Sequence, residues 1–132
     1  MKFKYKEYGE ALRPVIPVVL KHGKKYFKYE VLVDSGSDYC FFDAEVGEAI
    51  GIFKKDSEIK EVFGIGGRIS IYYIHPVTLM VGDECLHIKA GFIPNLGGQI
   101  VNYGIVGQLD FFERFIVKFD LLQQEVELKR RR

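Results

Sequence analysis

Apolar residues recur along this chain in short runs, most of them broken by polar positions at a period near two. Val15 to Leu20 is apolar, with Pro14 before it and Pro17 inside it. Proline cannot donate to a sheet ladder, so this run reads as an edge strand. The turn His22-Gly23-Lys24 separates it from Tyr26 to Val33, and the two runs form a hairpin. Tyr39 to Phe42 is a further short strand. Asp43 is placed to cap a helix over Ala44 to Ile50, and Gly51 stops it. Ser57 to Phe63 and Arg68 to Ile74 flank a glycine-rich tip as a second hairpin. Pro76 to Val81 and Cys85 to Ile93 form a third, turned at Gly82-Asp83-Glu84. Pro94 to Gly98 is a loop and Gln108 to Arg114 a short helix. Phe115 to Asp120 and Glu125 to Leu128 close the chain as two strands. Many short strands, regular turns and one or two short helices predict a mostly β, barrel-like fold.

Composition narrows the function classes. The 132 residues suit a single domain spanning 1–132 with a real core. An apolar share of 48% and an aromatic share of 14% exclude a disordered chain. The net charge of +1 creates no field for nucleic acid or a membrane surface, so neither is expected as a partner. The basic end Lys129-Arg130-Arg131-Arg132 reads as a short solvated tail. Residues 2–6 alternate lysine with aromatics and hold no apolar signal core. No apolar run approaches the ~20 residues of a membrane helix. Two cysteines, Cys40 and Cys85, are too few for a disulfide framework. They are expected free, buried and reduced, in a cytoplasmic protein. His22, His75 and His87 are scattered, and no Cys/His cluster has ligand spacing, so no metal or other cofactor is expected.

The candidate chemistry begins where Val31-Leu32-Val33 runs into Asp34-Ser35-Gly36-Ser37. A buried-type strand delivers one carboxylate to a tight turn. Gly36 lets backbone approach that carboxylate, and the two hydroxyls can bond nearby oxygens. A turn of this composition also ends many purely structural strands.

Two further pieces change its weight. Val62-Phe63-Gly64-Ile65-Gly66-Gly67 sits between strand-like runs, and Gly104-Ile105-Val106-Gly107 lies beyond it. In this order the three pieces resemble the retropepsin-like aspartic proteases, single-lobe relatives of pepsin, over roughly residues 14 to 128. The resemblance implies a closed, barrel-like acid-protease lobe and an aspartic endopeptidase acting on peptide or protein substrates. Asp34, Ser35, Gly36 and Ser37 match the catalytic loop. Residues 62–67 match the flap, and Val106 and Gly107 the element supporting the loop. The family's peptide hydrolysis uses two carboxylates sharing a proton, one taking a proton from water and one giving a proton to the scissile carbonyl. This chain has one Asp-Ser-Gly turn, so the resemblance implies a homodimer with an Asp34/Asp34 dyad.

The neighbouring roles follow from the same resemblance. Ser35 bonds across to the partner loop, and Gly36 presents its N–H to the carboxylates. Ser37 donates to Asp34, which favours ionisation and implies an acid-shifted activity optimum. Asp38 holds the substrate main chain. Retroviral relatives often place an arginine after the third-motif glycine as its ionic partner; here Gln108 stands there. Tyr39, Phe41, Val62, Phe63, Ile65 and Ile105 line the groove, with Gly64, Gly66 and Gly67 giving the flap its mobility. Gly107 permits close approach of a neighbouring segment. The alternative is a noncatalytic dimerisation or peptide-binding module on the same fold.

Overall fold

The computed structural model describes residues 1–63, 69–94 and 103–132; at 62, 63, 69 and 70 the backbone alone is described. The expected flap tip at Gly64, Ile65, Gly66 and Gly67 lies outside the described residues, as do the side chains of Val62 and Phe63 and most of the loop expected after Pro94.

Two long hairpins frame the molecule. β4 (Val15–His22) pairs with β5 (Lys25–Val33) from Val15↔Leu32 to His22↔Lys25. Their turn needs the left-handed conformation that Gly23 supplies at φ +60°. β8 (Ile69–Val81) pairs with β9 (Glu84–Ile93) around Gly82 in the same way. β7 (Glu58–Phe63) pairs with the first half of β8, from Phe63↔Ile69 to Glu58↔Ile74, so the two strands predicted to flank the glycine-rich segment are paired. Two short strands complete the sheet, β6 (Phe41–Asp43) and β10 (Gly104–Val106). The order is β4-β5-β10-β6-β9-β8, and β4 also pairs with β8, which closes a six-stranded barrel. β7 hangs outside it on β8.

Inward positions alternate along these strands as the period-two pattern requires. Leu86, Ile88 and Ala90 of β9 are buried, while Cys85, His87 and Lys89 between them face solvent. The core cluster also takes Ile16, Val18 and Leu20 from β4, Phe42 from β6, and Val126 and Leu128 near the C-terminus.

The prolines report how the barrel closes. β4 is not an edge strand, because it has β5 on one side and β8 on the other. The β4–β8 register covers only Val19 to Lys21, so Pro17 meets no strand on that side. Likewise Pro76 does not break the chain into two strands. β8 runs through it, with Pro76 opposite Lys89; on its other flank the β7 pairing ends at Ile74 and the β4 pairing begins at Thr78. Both prolines therefore sit where a missing N–H costs no ladder bond.

A second sheet joins the two ends of the chain. β1 (Lys2–Lys4) pairs with β12 (Glu125–Arg130), which pairs with β11 (Phe115–Asp120). β2 (Lys6–Tyr8) and β3 (Ala11–Arg13) form a small hairpin turned at Gly9. These N-terminal strands are additional to the predicted elements. Their signal is the Lys/aromatic alternation, and Phe3 and Tyr5 pack on the core. The basic end is not a free tail. Lys129 and Arg130 belong to β12, Arg130 lies over the Phe115 ring at 5.7 Å, and Arg132 reaches Glu84 at 2.8 Å.

The helix α1 (Ala44–Ala49) forms where predicted. The Asp43 side chain accepts from the Glu45 N–H at 2.9 Å, and the chain turns away at Gly51 with φ +85°. A 3-10 turn follows at Lys54–Asp56. The short helix expected over Gln108 to Arg114 is instead one wide turn, Gln108–Phe112. Leu109 is extended and Asp110 takes φ +71°, so regular helical winding is broken. No helix among the described residues is long and apolar enough to cross a membrane.

Candidate active site

The Asp34 loop owes its position to strand order. β5 ends at Val33 and β6 begins at Phe41, but the two are not neighbours: β10 lies between them, parallel to β5 and antiparallel to β6. Residues 34–40 must therefore cross over the end of β10. Gly104, Ile105 and Val106 register with Val31, Leu32 and Val33, and the Asp34 N–H donates to the Val106 carbonyl at 3.0 Å. Val33 and Val106 are buried, which anchors the loop's base in the core.

Within the loop, the Gly36 N–H donates to Asp34 Oδ1 at 2.9 Å, and the Ser37 N–H to the Asp34 carbonyl at 3.2 Å. Asp34 is half-buried, while Ser35 and Gly36 are exposed. The carboxylate is thus held from below and presented at the surface. Among the described residues no second carboxylate is hydrogen-bonded to it. The Ser37 hydroxyl does not fill the role expected of it. It donates to the Tyr39 carbonyl at 2.8 Å, and one hydroxyl carries one proton. The acid-shifted optimum expected from a Ser37–Asp34 bond loses that basis.

Gly107 is where a side chain cannot fit unless the loop moves. A Cβ there would sit 2.5 Å from both the Ser37 and Tyr39 carbonyl oxygens. These are backbone atoms of the loop itself, so they cannot swing aside as a side chain would. Beyond the glycine, the Gln108 N–H donates to the Ser37 carbonyl at 2.8 Å and the Leu109 N–H to the Asp38 carbonyl at 2.9 Å. The Gln108 side chain turns to the Ser35 carbonyl, with Nε2 at 2.6 Å. It does not partner Asp38. Asp38 is exposed, and its carboxylate has no hydrogen bond or ion pair among the described residues.

The wide turn after Gly107 is itself braced. Asp110 accepts from the Lys89 N–H at 2.9 Å and lies 3.4 Å from Arg114, while its own N–H donates to Glu113 at 2.7 Å. Asp110 is a residue that the sequence reading leaves without a role. Its signal is that aspartate tolerates the left-handed region better than most residues.

Aromatic rings form one wall beside the loop. Tyr39 meets Phe41 edge-on at 6.0 Å, and Phe41 meets Tyr72 of β8 at 5.2 Å. Ile105 lies opposite Phe41 in register, and both are half-buried. Gly91 makes room for this wall, since a Cβ there would meet Phe41 at 2.6 Å. Tyr39, Phe41 and Ile105 are thus brought together, as a groove requires. Tyr72 joins them although sequence reasoning did not select it. Burial raises its hydroxyl pKa first, with nearby Tyr39 adding to the effect. A separate hollow of about 580 Å³, lined by Pro17, Val19, Lys28, Glu30 and Met80 among others, lies on the outer face of β4 and β5 and includes no residue of the Asp34 loop. Among the described residues, no cluster of three His, Cys, Asp or Glu side chains is arranged to hold a metal ion.

The two cysteines differ. Cys40, at the loop's end, is buried, its thiol 3.6 Å from the Leu109 carbonyl. Cys85 is exposed, contrary to expectation, because it falls on the outward phase of β9. Burial pushes the Cys40 thiol up to about 12 from its ordinary 9.0. A raised acid is neutral in the fold, so its contribution to stability is present below pH 9 and fades as pH rises toward 12. Thiol-reagent kinetics at pH 8 should show Cys85 reacting fast and Cys40 at least about 100-fold slower. Equal rates would mean the loop's base is open.

No protein-family profile matches this chain, and no curated protein sequence matches it. Solved structures do. A retropepsin-like aspartic protease from Rickettsia conorii is similar with a TM-score of 0.70 at 14% identity, over 97% of this chain and 89% of that one. EIAV protease, in complex with the inhibitor HBY-793, is similar with a TM-score of 0.53 at 18% identity, over 77% of this chain and 88% of that one. At such identities the likeness speaks to architecture: the chain has the retropepsin-like fold.

Proposed function

We propose that the chain, as one domain of 132 residues, is an aspartic-type endopeptidase whose active site is completed by a second copy. The observation that carries this reading is Asp34 itself. It is half-buried, fixed by the Gly36 N–H at 2.9 Å, and among the described residues no second carboxylate is hydrogen-bonded to it. Two such loops facing each other across a two-fold axis bring the carboxylates to one water. Like charges at that range do not both ionise easily, so the pair holds one proton. The ionised carboxylate takes a proton from the water as its oxygen attacks the scissile carbonyl. The protonated one donates to the carbonyl oxygen, giving a tetrahedral diol. The carboxyl that took the water's proton then gives it to the leaving nitrogen, a diol hydroxyl returns a proton to the other carboxylate, and the C–N bond breaks to release the amine.

The substrate is an extended peptide. Tyr39, Phe41, Tyr72 and Ile105 favour apolar side chains beside the cut bond, and the β7–β8 hairpin supplies the flap strands. The exposed free thiol of Cys85 suits a reducing cytoplasm.

Cleavage of a peptide library between pH 3 and 8, at protein concentrations spanning about three decades, tests the reading. Specific activity is expected to fall with dilution, because monomers carry half a site. Constant specific activity down to concentrations where sedimentation finds only monomer would contradict the shared site. Absence of cleavage at every pH would favour the noncatalytic module.

A further inference from the structure

We infer that Gln108 is a positioning residue that acts on Asp34 through a single peptide unit, an inference that rests on the endopeptidase reading for its catalytic meaning. The Ser35 carbonyl and the Gly36 N–H belong to the same planar, trans peptide, so they point in opposite directions. Gln108 Nε2 donates to that carbonyl at 2.6 Å. On the other side, the same peptide's N–H donates to Asp34 Oδ1 at 2.9 Å. The hydrogen-bond chain runs from the Gln108 amide donor through the Ser35–Gly36 peptide to the Asp34 carboxylate, which accepts. Because the far partner is a carbonyl oxygen, only the NH2 end of the Gln108 amide can face it, which settles the amide's orientation.

Glycine makes this clamp necessary. A peptide flanked by Gly36 has little steric resistance to rotating about its long axis. Such a flip would turn the N–H away from Asp34 and aim a carbonyl oxygen at a carboxylate. The Ser35–Gly36 unit is also exposed, with no packing to hold it. Gln108 is well placed to hold it, because its own N–H is already committed to the Ser37 carbonyl at 2.8 Å. One residue therefore grips the loop on both sides of Gly36. Hydrogen bonds in series also polarise one another, so the clamp strengthens the donor that Asp34 receives. The clamp is neutral. It holds the loop without placing a positive charge beside the acid.

The test compares Gln108→Glu and Gln108→Leu with wild type. A protonated glutamic acid still donates to the Ser35 carbonyl; an ionised one cannot, and it repels that oxygen. Leucine cannot donate at any pH. Relative to wild type at each pH, Gln108→Leu is expected to lose roughly tenfold in kcat throughout, with KM within about twofold. Gln108→Glu should match that loss near pH 7 and recover most activity as pH falls through about 4.3, the ordinary glutamate range. Melting temperature and sedimentation confirm that both variants remain folded and paired. A second readout needs no activity: the Gly36 amide proton is expected to shift upfield in Gln108→Leu as its hydrogen bond weakens. A Gln108→Glu loss that does not change with pH, or a Gly36 resonance unmoved by Gln108→Leu, overturns the clamp. If wild type proves inactive at every pH, the endopeptidase reading fails on that result, and the Gly36 resonance alone still decides whether the clamp exists.

Discussion

Replacing Asp34 by asparagine is expected to lower kcat/KM by at least about 10³-fold while leaving the fold intact. The magnitude follows from the role. A positioned acid–base group contributes roughly 10² to 10⁴-fold, and this substitution removes it from both halves of the pair. Asparagine is nearly isosteric, and its Oδ1 still accepts from the Gly36 N–H, which holds Asp34 at 2.9 Å. The residue is only half-buried, so stability should change by less than about 1 kcal/mol. The discriminating pair of measurements is kcat/KM on the best peptide from the library and the thermal midpoint. Retention of more than a tenth of the activity would remove Asp34 from the chemistry. Loss of activity together with unfolding would leave its role undecided by this variant, and Asp34→Glu, which keeps the charge but moves it, would then carry the comparison.

The second large effect is expected at Gly107. Alanine already places a Cβ 2.5 Å from two loop carbonyl oxygens, and valine adds two methyl groups to the same space. The obstruction is backbone, with the Ser37 carbonyl held by the Gln108 N–H and the Tyr39 carbonyl by the Ser37 hydroxyl, so relief requires moving the loop off β10. Overpacking of this kind costs about 1–3 kcal/mol or more. The displaced loop would carry Ser37 and Tyr39 with it, and a shift of about 1 Å at a reacting group costs on the order of 10²-fold in rate. Gly107→Ala is therefore expected to reduce both the thermal midpoint and kcat, with valine worse in both. Gly36 offers a contrast, since a Cβ there meets only the Asp34 side chain, at 3.1 Å. Gly107→Ala with unchanged stability and rate would mean the loop is not seated on β10 as described.

Gly107 also illustrates what was legible in the sequence. The order of Asp-Ser-Gly, glycine-rich tip and Ile-Val-Gly carried the fold; of these, the Asp34 turn and Gly107 sit where a strand crossing needs a turn or leaves no room. Alternation carried the long hairpins for the same physical reason: one face of each strand is buried. What could not be read was context. Pro17 suggests an edge strand and Pro76 a strand's first residue until the register shows continuous strands in which each proline nitrogen faces a gap in the neighbouring pairing. Strands of three residues, such as β1 and β2, offer too few periods for a pattern to stand out. The turn at Gln108–Phe112 has helical composition, but the bonds from Lys89 and Arg114 to Asp110 stabilise a different path. Ser37 and Gln108 show the limit at the site itself. Both are polar, both lie near Asp34, and only the geometry decides that one bonds Tyr39 and the other Ser35.

The most direct measurement of the shared site is subunit mixing. Wild-type protein is held at a fixed concentration while Asp34→Asn protein is added in excess, and cleavage is followed after equilibration. With two chains contributing one carboxylate each, mixed pairs carry a broken site, so the wild-type activity is expected to fall toward zero as the variant accumulates. Activity that stays constant through a tenfold excess of variant, with mixed pairs demonstrated by mass spectrometry, would show that each chain cleaves on its own.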